Sequence, residues 1–174
     1  GSFTTDSSAS AFSLESVTLR MELANNTSGN FFVALYSNSS TKPGSLLETL
    51  SGTPNPATAG NYAFTSGGTQ LLSNTTYWIV AGVSSGLGDY GWDVTSSHNQ
   101  TGAWSIGNST YLSSDGGLSW NTGAGGSDIS PVMFSVSASA IPEPETYTLF
   151  AAVAAIAAVV WQRRLRPRRA AVES

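Results

Sequence analysis

The sequence predicts an all-β fold, an antiparallel β-sandwich of jelly-roll type, followed by one C-terminal transmembrane helix with a basic tail. Three observations carry that prediction. Apolar residues recur with a period close to two through most of residues 1–140, between clusters of Gly, Asn, Ser and Pro. Nothing outside the tail has the 3.6-residue periodicity of an amphipathic helix. A single uncharged apolar run, residues 148–160, is followed directly by arginines.

Taken in order, Val17, Leu19, Met21 and Leu23 alternate with Thr18, Arg20 and Glu22, the pattern of a strand with one wet face. Residues 31–36 are apolar on both faces and predict a central strand. Further strands are expected over 62–65, 76–83, 90–94, 103–106, 110–112, 118–120 and 132–138. Between them stand turn formers: Asn25-Asn26-Thr27-Ser28-Gly29, Pro43-Gly44, Ser66-Gly67-Gly68, Ser73-Asn74 and Ser84-Ser85-Gly86. Eight or nine short strands at this spacing favour a sandwich over a closed barrel, with Phe32, Trp78 and Phe134 in its core. The Asn-x-Ser/Thr triplets at Asn25, Asn26, Asn38, Asn74, Asn99 and Asn108 read as turn chemistry.

Charge divides the chain. Residues 1–141 hold only Arg20 and Lys42 against eight acidic residues, a net charge of −6, which argues against nucleic acid as a partner. Cysteine is absent, so neither disulfides nor thiol chemistry is available and the fold must rest on its core. About 140 residues are enough for one domain to do so. The chain opens at Gly1 without Met, which fits an export leader already removed.

Five of the seven cations, Arg163, Arg164, Arg166, Arg168 and Arg169, follow the apolar run and form a membrane stop cluster on the cytoplasmic side. The uncharged core spans only about 20 Å at the helical rise, against a hydrocarbon thickness of about 30 Å. Trp161 at the interface and snorkelling arginines lengthen its reach. The body, residues 1–140, is thereby expected outside the cytoplasm. A polar segment (141–146), the span (147–161) and the tail (162–174) complete the chain.

Pro142-Glu143-Pro144, a short hydrophobic helix and an arginine cluster, in that order, resemble the PEP-CTERM sorting signal of exopolysaccharide-producing Gram-negative bacteria. The resemblance implies processing at Pro142, Glu143 and Pro144 by an exosortase, a membrane-embedded transpeptidase-like partner. Two prolines around a glutamate also hold the backbone extended and accessible. The body has its own resemblance. Phe3-Thr4-Thr5, Leu14-Glu15-Ser16-Val17-Thr18-Leu19, Val33-Ala34-Leu35-Tyr36-Ser37, Pro43-Gly44-Ser45-Leu46-Leu47, Thr75-Thr76-Tyr77-Trp78-Ile79-Val80 and the Gly-Leu-Ser-Trp ending at Trp120 look like the landmarks of choice-of-anchor R domains. That family implies a surface location and supplies no catalytic residues.

Chemistry-bearing constellations are few. Ser113, Asp115, Gly117 and Trp120 fit Ser-x-Asp-x-Gly-x-Ser/Thr-Trp and are similar to the Asp-box of sialidase-like proteins, a structural turn. His98, the one histidine, has no Gly-x-Ser-x-Gly elbow beside it. Asp89 and Asp93 are the near carboxylate pair, read as a plain turn or as a calcium site without a known loop spacing. Tyr90, Trp92 and Trp104 lie in a Gly/Ser/Asn-rich stretch and are either candidate glycan contacts or core. The sequence thus predicts a non-catalytic surface or matrix protein without cofactor or metal, sorted from the inner membrane by an exosortase. Its alternatives are a lectin-like module for exopolysaccharide and a small hydrolase.

Overall fold

The computed structural model describes residues 1–25, 27–86, 88–95, 100–122, 131–142, 153 and 155–162. It divides into two compact units, Gly1–Ile141 and Pro142–Ser174. The first unit is all-β and antiparallel. Its strands are β1 (Ser2–Thr4), β2 (Ala11–Met21), β3 (Phe31–Ser39), β4 (Lys42–Leu50), β5 (Gly60–Thr65), β6 (Gln70–Leu72), β7 (Thr76–Val83), β8 (Ser105–Ile106), β9 (Tyr111–Leu112), β10 (Asn121–Thr122) and β11 (Phe134–Ala140). One sheet runs β4-β3-β7-β1-β8. A second runs β11-β2-β5, with β6 also on β2, and β9 pairs with β10.

Alternation explains which face each strand buries. In β2, Phe12 and Leu14 are buried, then Val17, Leu19 and Met21, so the inward parity changes within the strand. The cause is one extra residue. Ser137 pairs with Ser16 and Ala138 with Leu14, leaving Glu15 as a bulge. The inward side chains of β2 join Phe3, Phe31, Val33, Leu35, Phe64, Leu71, Tyr77 and Ile79 in one buried cluster fed by both sheets. Each fully buried aliphatic or aromatic side chain contributes about 1.5–3 kcal/mol.

Several expected elements move. The strand expected to reach Leu23 is β2, which ends at Met21, and Leu23 is exposed. Pro43-Gly44 is not a turn. Ser39 pairs with Lys42, so the chain reverses at Ser40 and Thr41, at φ 48° and 76°, and Pro43 sits within β4. An edge strand tolerates proline because half its amides face away from the ladder. Residues 90–94 form no strand and make only single bridges, Trp92 with Met21 at the end of β2 and Val94 with Val132 ahead of β11. Residues 118–120 belong to the turn before β10, and β1, β4 and β6 are additional. Phe134 packs against the core cluster as expected. Phe32 is half-buried instead. Its ring sits where a side chain at Gly82, its cross-strand partner, would go. Trp78 is buried but lies outside the core cluster, because it alternates with the inward Tyr77 and Ile79.

Buried polar atoms at the crossing between sheets are satisfied. Thr5 Oγ1 donates to the Leu72 carbonyl (2.6 Å) and accepts from the Thr75 amide (3.0 Å). Tyr77 Oη accepts from the Leu72 amide (2.8 Å), so the β6–β7 turn, with Asn74 at φ 48°, is held from both ends. In the second unit Val153 and residues 155–162 are helical and exposed. Among the described residues no helix is long and apolar enough to cross a membrane.

Candidate functional site

A cleft of about 1030 Å³ opens where the two sheets are not zipped together, with β8 as one lip and β11 as the other. Its apolar floor includes Phe3, Phe12, Trp104, Ile106 and Val136, and its polar rim includes Asp6, Arg20, Gln100 and Asn108. The loop before β8 is shaped by Gln100, whose Oε1 accepts the Ile106 amide at 2.6 Å. Trp104 stacks on Phe3 (5.6 Å, 5°) and meets Phe12 edge-on (4.9 Å, 75°), so this indole is part of the floor.

The charged rim is already engaged. Arg20 Nε donates to Asp93 Oδ2 at 3.0 Å. Asp6 accepts the Ser8 hydroxyl (2.7 Å) and amide (3.0 Å). Those two bonds hold its carboxyl below the usual carboxylate range, with the Trp104 indole adding a little against the opposing pull of burial. Asp89 takes Asn25 Nδ2 at 3.2 Å, so the near carboxylate pair is divided between different partners. Among the described residues no three His, Asp or Glu side chains are placed to hold a metal ion.

The three candidate glycan aromatics do not form one platform. Tyr90 packs on Phe31 (5.1 Å), donates to the Gly29 carbonyl at 2.9 Å and lies 3.0 Å from Asn55 Oδ1. Trp92 donates from Nε1 to the Met133 carbonyl (2.8 Å) and packs edge-on against Phe134. Trp104 alone of the three lines the cleft. All are partly buried against the core, and the tips of Tyr90 and Trp92 are satisfied by backbone.

The segment 113–120 closes the β9–β10 hairpin. The Ser113 hydroxyl donates to Asp115 Oδ1 (2.7 Å) and accepts the Gly117 amide (2.7 Å). Asp115 Oδ1 also takes the Ser119 amide at 2.9 Å. Gly116 and Gly117 sit at φ 73° and 90°, where a Cβ is strained. The Ser119 hydroxyl and amide, then the Ser113 hydroxyl, bring the Asp115 pKa down to about 2. The hairpin places Tyr111 edge-on to Trp78 (5.4 Å) and Trp120 edge-on to Tyr36 (6.0 Å). Lys42 completes the corner, with Nζ donating to the Trp120 carbonyl (3.3 Å) and 5.7 Å from the Tyr111 ring centroid. Trp78 therefore has its own aromatic cover on the face away from the core, and its Nε1 donates to Asn38 Oδ1 at 2.8 Å.

Of the expected sorting motif, Pro142 is described and exposed. Glu143, Pro144, the arginines 163, 164, 166, 168 and 169, and His98 lie outside the described residues. Gln100 and Asp6 were not singled out from sequence, and Asn108 was read there only as turn chemistry. The cleft draws its lining from segments around 3–12, 18–20, 100–108 and 131–140, with Asn61 and Thr95, so no local spacing announces it. Comparison of the chain with protein families, curated proteins and solved structures gives no match.

Proposed function

We propose that this chain is the precursor of an exported, non-catalytic surface or extracellular-matrix protein, a jelly-roll-type β-sandwich carried to the membrane by its C-terminal run and processed by an exosortase at Pro142-Glu143-Pro144. The observation that carries the reading is where the body stops. The Ile141 amide donates to the Ala11 carbonyl at 2.9 Å, and Pro142, exposed and without an amide to donate, opens the second unit. A processing enzyme reaches such a motif without unfolding the body. The apolar run then serves as the transmembrane segment and the arginines as its cytoplasmic stop. The described carboxylates with lowered pKa values, Asp6, Glu48 and Asp115, are each bound by loop hydroxyls and amides, which suits a structural part for these three groups. A lectin-like role for exopolysaccharide draws support from Trp104 in the cleft alone.

The test is the intact mass of the protein from host cells with and without the exosortase, beside a Pro142→Ala/Glu143→Ala variant. We expect wild-type protein to end within the motif, while the deletion and the variant keep the arginine tail. A full tail in all three would overturn processing.

A further inference from the structure

The last ladder bond of the body and the first proline of the proposed processing motif are neighbours in the chain. Ile141 donates its amide to the Ala11 carbonyl at 2.9 Å and Pro142 follows at once, so no linker separates sheet from motif. Pro142 can be reached with the body folded, but an enzyme that breaks a peptide bond holds extended backbone on both sides of it. On the upstream side that backbone is Ser139, Ala140 and Ile141, and in the folded body all three are bonded to β2.

β11 is built in two parts. Its register on β2 shifts between Ser137 and Ala138, where Glu15 is bulged out, and a bulge interrupts the ladder. Ahead of the shift, Phe134 and Val136 pack on the core cluster and the Ser137 hydroxyl donates to Glu15 Oε2 at 2.9 Å. Beyond it, Ala138 reaches the cluster with a single methyl group, and Ser139 and Ala140 are exposed. Their neighbours on β2 are held without them. Ala11, Phe12 and Ser13 pair on the other side with Leu72, Leu71 and Gln70 of β6. Little apolar surface therefore opposes release of residues 138–141, and β2 keeps its place when they leave.

We infer that residues 138–141 are a gate on processing, a terminal segment that unzips from β2 at the Glu15 bulge so that the enzyme can grip the chain ahead of Pro142. The inference rests on the processing reading above and adds what controls its rate. Re-zipping a few paired residues takes on the order of microseconds, so cleavage tracks the population of the open segment, not the stability of the whole body. The bulge sets where opening stops, because Phe134, Val136 and the Ser137–Glu15 bond hold the rest of β11.

The test locks the gate without altering motif or length. Ser13 and Ser139 are direct cross-strand partners, a relation that puts Cα atoms about 4.5–5.5 Å apart and within disulfide reach, and the chain has no cysteine to compete. The full-length Ser13→Cys/Ser139→Cys variant, oxidised, should melt no lower than wild type and be cleaved at least about tenfold more slowly by exosortase-containing membranes, while Ser13→Cys alone is cleaved at the wild-type rate. In wild-type hydrogen exchange, the Ile141 amide should exchange at least about tenfold faster than the β2-bonded amides of Phe134–Ser137. A clamped chain cleaved at the wild-type rate, or an Ile141 amide as slow as those ahead of the bulge, would overturn the gate and leave processing in place. Wild-type chain that is never cleaved would overturn the processing reading and the gate with it.

Discussion

Glu48 is a carboxylate committed to structure. Burial alone would raise its pKa, but the Gly67 amide and the Ser66 and Thr69 hydroxyls (both 2.6 Å) outweigh it and hold the group below its ordinary 4.5. A depressed carboxylate stabilises the fold fully above its unfolded pKa, and that contribution fades as pH falls through the folded value. Glu48→Gln should therefore lower stability at neutral pH by about 1 kcal/mol, with the gap to wild type closing in thermal melts as pH falls below the ordinary carboxylate range. Asp115 is a carboxylate of the same kind, yet only Asp115 was visible beforehand. Its partners Ser113 and Ser119 lie within four residues, so their spacing writes the turn into the sequence. Those of Glu48 stand 18 to 21 residues away on another segment, where no short pattern reaches.

At the scale of elements, the β3–β4 hairpin is the most improvable joint. Its two-residue loop puts positive φ on Ser40 and on β-branched Thr41, a geometry that Asn-Gly adopts readily. Ser40→Asn/Thr41→Gly should gain about 1 kcal/mol, read as a higher denaturant midpoint with unchanged slope. Alternation in the sequence located β5 and β11 within two residues, because each has a wetter face, and the apolar run 76–83 located β7 at its observed bounds although both of its faces are covered. It failed where that premise fails. β1 and β6, at three residues, are too short to show a period. In β4 the Pro-Gly pair signals a turn that two irregular pairings absorb. Aromatics at 90–94 pack inward from single bridges without a ladder. Trp78 is buried as expected, but on the face away from the main cluster. Its burial depends on a hairpin more than 30 residues downstream, and alternation within β7 cannot foresee a cover on the outer face.

For the whole molecule, the division near residue 141 was legible as a change from Gly/Ser/Asn-rich alternation to an Ala/Val run, and the two compact units divide there. A chain ending at Ile141 should keep the denaturant midpoint of the full chain. One ending at Ser137 loses the pairings of residues 138–140 with Phe12, Ser13 and Leu14, and should unfold more easily by about 2 kcal/mol or more. The cleft was not legible at all, since it exists only once the last strand returns beside the first ones. The placement of the two cations of the body has a consequence for where it can reside. Arg20 is tied to Asp93 and Lys42 to a carbonyl and a ring, so the remaining surface field is that of an anion. In a gel of fixed negative charge the body would be partitioned out by Donnan exclusion at low ionic strength. It would enter freely once salt shortens the screening length to about 8 Å, so ionic strength alone would set how deeply it permeates such a polymer.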